Sequence, residues 1–154
     1  MAITWAGWAA AADRGPVTSL PLPRFVSMKA EEGNVRRGPS LTHRVDWVFK
    51  HPHMPLKVVA EYGHWRRVQD HEGQGGWMHY SLLSGVRYAQ VVDNRVAVRL
   101  KPNEAAATRA WAERGALLRL GACGPAWCEV SAQGQKGWVL KAQLWGVFEQ
   151  ELRD

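Results

Sequence analysis

The sequence predicts an all-β protein built as two small β-barrels in tandem, the second a degenerate copy of the first. Three observations lead there. The stretch GQGGWMHYSLLSG at residues 73–85 returns as GQKGWVLKAQLWG at residues 134–146, so both copies read Gly-x-x-Gly-Trp, a short polar run and Leu-x-Gly. Other anchors recur in the same order. Val35, Arg36 and Pro39 match Val98, Arg99 and Pro102 at an offset of 63; Trp65 and Val68 match Trp127 and Val130 at 62; Gly76, Trp77, Leu83 and Gly85 match Gly137, Trp138, Leu144 and Gly146 at 61. An offset that drifts by single residues is what loop deletions leave in a duplicated segment. Finally, from Phe25 onward short alternating segments are broken by Gly, Pro, Asn, Asp and His, the spacing of small strands. About five strands per copy would curl into a barrel whose closure hides most edges, with one tryptophan per hairpin filling the interior.

In order along the chain, residues 1–24 read as a leader remnant or linker. MAITWAGWAAAADRGP is an apolar stretch ending in Ala10, Ala11 and Ala12. It has the look of an export signal's apolar region and cleavage site without the basic front, as if the true start lay upstream, and it predicts export. Residues 13–24 carry three prolines and no hydrophobic period, which predicts an extended linker. The first barrel occupies residues 25–85. NVRRGPS is a strand entering a Gly-Pro turn, and HRVDWVFK places Val45, Trp47 and Phe49 on one face. PLKVVAEYG is closed by Gly63. HWRRVQD separates Trp65, Arg67 and Gln69 from Arg66 and Val68, and HEGQGG is a hairpin turn rich in glycine. WMHYSLLSG leaves that turn as a strand and ends in a short turn of 3₁₀ type. The second barrel, residues 86–147, repeats this through VAVRLKP, ATRAWAERG, ALLRLGACG, WCEVSAQGQKG and WVLKAQLWG, and residues 148–154 form a tail. The alanines at 105–107 would suit a helix, but the matching part of the first copy is β, which predicts a loop and then a strand.

These segments resemble the bacterial SH3-like (SH3b) domain, in the form found in proteobacterial cell-envelope proteins. The first copy matches its asparagine-valine-arginine-x-glycine-proline, tryptophan-x-x-valine and glycine-tryptophan signature at Asn34, Val35, Arg36, Gly38, Pro39, Trp65, Val68, Gly76 and Trp77. The second keeps Trp127, Val130, Gly137 and Trp138, but has Ala97 in place of the asparagine and Lys101 in place of the glycine. The resemblance runs from Phe25 to Gly146. It implies tandem SH3-like barrels, commonly exported, which serve as non-catalytic attachment modules for peptides or peptidoglycan.

Composition agrees with a globular protein. The 154 residues are 46% hydrophobic and 22% charged, which excludes a disordered tail, and nine are tryptophan. The net charge of +6 is spread as +1 over residues 1–24, +2 over 25–85, +5 over 86–147 and −2 over the tail. Its cations are spaced out rather than run together, so single-stranded nucleic acid, which basic-aromatic barrels can stack and hold, ranks third among the partners. No apolar run is long enough to span a bilayer.

Cys123 and Cys128 flank a Gly-Pro-Ala-Trp turn, where a hairpin would set the sulfurs opposite each other; a disulfide is expected in an oxidising compartment, and a metal site is the weaker reading of the pair. His51-Pro52-His53, with His43 nearby, lacks an accompanying ligand set. No nucleophile–base pair, P-loop or dinucleotide fingerprint occurs, so neither a catalytic residue nor a cofactor is predicted. The leading expectation is a cell-envelope binding or scaffolding module for a peptide, protein or cell-wall glycopeptide, with Trp47, Tyr62, Arg66 and Tyr80 as candidate ligand-binding residues. The alternative is a regulatory subunit of, or remnant from, a cell-wall hydrolase.

Overall fold

In the computed structural model the described residues are 13–154, and the export reading of residues 1–12 lies outside them. The first copy contains β1 (Arg24–Met28), β2 (Gly33–Arg36), β3 (Val45–Phe49), β4 (Pro55–Tyr62), β5 (Trp65–Gln69), β6 (Gly75–His79), a 3₁₀ turn at Tyr80–Leu82 and β7 (Leu83–Ser84). The second contains β8 (Tyr88–Val91), β9 (Arg95–Arg99), β10 (Thr108–Glu113), β11 (Leu117–Cys123), β12 (Trp127–Ala132), β13 (Gln135–Leu140), a 3₁₀ turn at Lys141–Gln143 and β14 (Leu144–Trp145). The two seven-stranded antiparallel sheets run β3-β2-β6-β5-β4-β1-β7 and β10-β9-β13-β12-β11-β8-β14, the same order twice. Residues 105–107 lie in a loop that leads into β10, and the 3₁₀ turn falls where the sequence placed it.

Two expectations about the barrels are corrected. Each copy has seven strands rather than about five, because β1 and β8 enter ahead of the recognised segments and the two-residue β7 and β14 close on them. Nor do the sheets close. β3 and β7 end the first and β10 and β14 the second, with no pairing between those ends. The register slips between Val35 and Arg36, so Arg36 meets Val45 on one side and Trp77 on the other. β3 is the edge strand of the sheet, and Val45, Trp47 and Val48 on it are exposed; of the expected apolar face only Phe49 is buried.

A second bulge orients the most consequential carboxylate. The β4–β5 register shifts between Val58 and Ala60, after which Glu61 pairs with Arg66 and Tyr62 with Trp65. Val58, Glu61, Arg66 and Val68 therefore point inward, while Tyr62 and Trp65 point outward. Glu61 is buried and accepts backbone N–H groups from Val17 and Thr18, each at 3.0 Å, the Thr18 hydroxyl, and Arg24 Nη1 at 2.7 Å. Burial pushes its carboxyl up, but the bonds from Thr18, Arg24 and Val17 outweigh this and hold it at about 2. Residues 13–24 thus do not run extended. They fold into a closed turn, with Gly15 N–H donating to Leu20 O at 2.8 Å and Leu22 N–H to Asp13 O at 2.8 Å. A side chain at Gly15 would collide with the Glu61 carboxylate, so the turn needs glycine there.

The cores overturn the expectation about tryptophan. The first is built from Val, Leu, Met and Phe49, with Met28, Val35, Leu56, Val58, Val68 and Met78 fully buried. The second is Val, Leu and Ala with the Cys123–Cys128 pair. No described tryptophan belongs to either. The strand period separates Trp65 from Val68 without saying which is inside, and an interior this narrow accepts the slim branched chain while the indole lies outside. The barrels pack on each other through Phe25, whose ring meets Trp145 edge-on at 5.1 Å and Phe148 at 4.6 Å, and through His53 stacked on Tyr88 at 4.5 Å.

Candidate functional site

Register, rather than sequence proximity, assembles the most aromatic surface of the described residues. Across β4, β5 and β6, Tyr62 pairs with Trp65 and Trp65 with His79, so the three side chains form one row on the outer face. The next row is Arg67, Trp77 and Arg36. His79 meets Trp65 edge-on at 5.5 Å, and Tyr80 lies 4.9 Å from His79. His79 Nδ1 bonds the Ser81 hydroxyl at 2.7 Å, which fixes the ring over the 3₁₀ turn. Trp65 and His79 floor a groove of about 320 Å³ walled by Glu32, Asn34, Arg36, Leu41 and Leu82. Arg36 Nη1 donates to His43 O at 2.9 Å, tying the segment before β3 to the groove's edge.

The second copy builds the equivalent groove from equivalent positions and shrinks it. Trp127 takes the place of Trp65, Arg99 of Arg36, Ala97 of Asn34, and Leu140 of His79, around about 180 Å³. Arg95 lies over the Trp111 ring at 4.3 Å beside it. Glu129, paired with Trp138, stands where the first copy has Arg67, so the second outer face exchanges a cation for a carboxylate.

The four ligand-binding residues named from the sequence do not form one site. Tyr62 is 65% exposed in the outer row. Arg66 is only 8% exposed, and its guanidinium lies 5.9 Å from the centre of the Tyr80 ring, lining a different hollow. Trp47 stands apart again, on β3, in a groove it shares with Met54, His71 and Leu117 of the second copy's first long strand. Trp65, Trp77, Arg36 and Arg67 were missed as surface residues. The available signal was HWRRV itself, whose alternation offers Trp65 with Arg67 as one face.

Cys123 and Cys128 are directly paired across the β11–β12 hairpin, with Cα atoms 4.1 Å apart, and form a disulfide. In the His51-Pro52-His53 segment, His53 stacks on Tyr88. Among the described residues no three His, Cys, Asp or Glu side chains stand close enough to hold a metal.

The bacterial SH3 domain matches residues 29–85 and again residues 92–146. Comparison with curated proteins finds no match. Among solved structures, NlpC2 and NlpC1 from Trichomonas vaginalis are similar at 10% sequence identity with TM-scores of 0.38, over 84% and 85% of this chain and 50% and 48% of theirs. The chain therefore spans about half the length of those two proteins.

Proposed function

The chain belongs to the bacterial SH3 domain family, whose members are typically binding modules, and from that premise we propose that it is a non-catalytic binding or scaffolding protein of the bacterial cell envelope that recognises an extended peptide or a peptidoglycan-derived glycopeptide. The observation that carries this reading is the outer-face row of Tyr62, Trp65 and His79 beside the open groove of the first copy. Half-exposed aromatics flanked by Arg36 and Arg67 offer flat apolar area and fixed donors to a chain lying across the strands. Tyr80 extends the row at its end; Trp47 and Arg66 lie off it. The narrower groove of the second copy supports the first as the recognising barrel. A disulfide fits an oxidising compartment, which supports the envelope location.

The test is sedimentation of the purified chain with cell-wall sacculi, alongside titration with soluble muropeptides. The wild type is expected to bind, and Trp65→Ala to lose at least tenfold in affinity while keeping its melting temperature. Equal binding by wild type and Trp65→Ala would remove the outer face as the site. Turnover of muropeptides by this chain alone would overturn the non-catalytic reading.

A further inference from the structure

A second hollow has a different chemistry and lies where the N-terminal turn, the first barrel, the connection to the second barrel and the C-terminal tail converge. It encloses about 430 Å³, and four arginines line it: Arg24 on β1, Arg66 on β5, Arg87 in the connection and Arg153 in the tail. Only two carboxylates answer them. Glu61 accepts from Arg24 at 2.7 Å, and Glu151 accepts from Arg87 through both oxygens at 2.9 and 3.0 Å, with Arg153 at 4.0 Å. Neither glutamate lines the hollow; both stand behind the arginines. Arg66 has no carboxylate partner among the described residues, although it is only 8% exposed; its Nη1 donates to Gly63 O at 2.8 Å and Trp65 O at 2.9 Å. Arg87 Nε is buried with no partner at all.

A nearly buried guanidinium lacking an opposite charge is costly, and an anion beside it relieves that cost. Leu20, Phe25, Val26 and Leu83 give the hollow an apolar part, beside Thr18, Tyr80, Ser84 and Gly85. A ligand with an apolar body next to its negative charge matches both parts. We infer that this hollow binds the terminal carboxylate of a peptide that ends in apolar residues. The planar fork of arginine matches a carboxylate through two parallel bonds, and Arg66 is held for it by its two carbonyl contacts and by Tyr80. Thr18 and Leu20 reach the hollow from the turn anchored on Glu61, and Arg153 reaches it from the tail. It is separate from the outer face and does not rest on that reading.

The experiment is calorimetric titration of the full chain at low salt with acetyl-Leu-Leu, with its C-terminal amide and with inorganic phosphate. The carboxylate is expected to bind at least tenfold more tightly than the amide and than phosphate. Arg66→Met is expected to reduce carboxylate binding at least tenfold, and Leu100→Ala, an exposed position on the second copy, to leave it unchanged. As Arg66 is buried, amide-resonance perturbations in the wild-type chain supply a readout independent of any variant, expected at Thr18, Leu20, Ser84 and Gly85. Equal affinity for carboxylate and amide, phosphate binding as tight as the peptide, perturbations confined to other residues, or undiminished binding in Arg66→Met would each overturn the assignment.

Discussion

Replacing Glu61 with glutamine tests whether one carboxylate holds the N-terminal turn against the first barrel. The substitution keeps the size of the side chain and removes its charge. In the native protein the group sits at about 2 against an ordinary 4.5. At about 1.36 kcal/mol per pH unit this difference sets a ceiling of about 3.4 kcal/mol, and solvent screening around the partly open Arg24 brings it to ~2 kcal/mol. The sign follows from linkage. A carboxylate with a depressed native value stabilises the fold above its unfolded value, and that stabilisation disappears as pH falls through the native value. The wild type should therefore lose this contribution between about pH 5 and pH 2, and Glu61→Gln should lack it throughout. Thermal melts at pH 7 should show the variant about 4–8 °C below the wild type, with the gap closing toward pH 2. The amide resonances of Val17 and Thr18 should move at the same time, since both donate to this carboxylate. A variant that melts within a degree of the wild type at pH 7, or a gap that does not change with pH, would refute the argument.

Three further outcomes follow from the packing. Reduction of the Cys123–Cys128 bridge, which closes a short loop with a sequence separation of 5, should cost about 2 kcal/mol, read as a lower melting temperature under reductant; a melt that reductant leaves unchanged would contradict this. Gly146→Ala should destabilise by more than about 1 kcal/mol, because Gly146 has φ +118° and an added Cβ would meet Tyr88 O and Pro55; its counterpart Gly85 has open space, so Gly85→Ala should stay within about 0.5 kcal/mol in chemical denaturation. Met78→Ala should cost about 2–5 kcal/mol, whereas Trp65→Ala should cost less than Met78→Ala by denaturant midpoint, and the reverse order would restore the tryptophan-filled core.

Much of the architecture was legible because a duplication reports itself through ordered anchors, and because alternation marks strands that are wet on one side. β8, YAQV, alternates in burial but is only four residues long; the other strands that were missed are those where these signals fail. β1, RFVSM, is buried at four successive positions because it is sandwiched between β4 and β7 and packed against the second barrel, so no alternation marks it. β7 and β14 are two residues long and exist through their partners. The turn at residues 13–24 depends on Glu61, a carboxylate far along the chain that local composition cannot reveal. The surface was less legible still. Period two gave Trp65 with Arg67 and Arg66 with Val68, but the choice of inner face is made by the tertiary packing of Val58, Val68 and Met78. The same packing separated Arg66 from Tyr62, which a list of exposed-looking aromatic and basic residues had joined.

The same bulge occurs in both copies and explains how they diverged. In the first, the β4–β5 shift places Glu61 opposite Arg66; in the second, the β11–β12 shift between Leu120 and Cys123 places Cys123 opposite Cys128. These are equivalent positions, each at an offset of 62. One inward-facing pair has thus been filled by two charged groups in one barrel and by a covalent bond in the other. The disulfide satisfies its site alone and sits within the second core. The charged pair does not: Glu61 is satisfied by a turn brought in from residues 17 and 18 and by Arg24, and Arg66 is left turned toward the second hollow. A site that cannot be closed from within recruits whatever can close it, and in the first barrel that requirement draws the N-terminal segment onto the sheet and leaves a guanidinium available to an incoming anion.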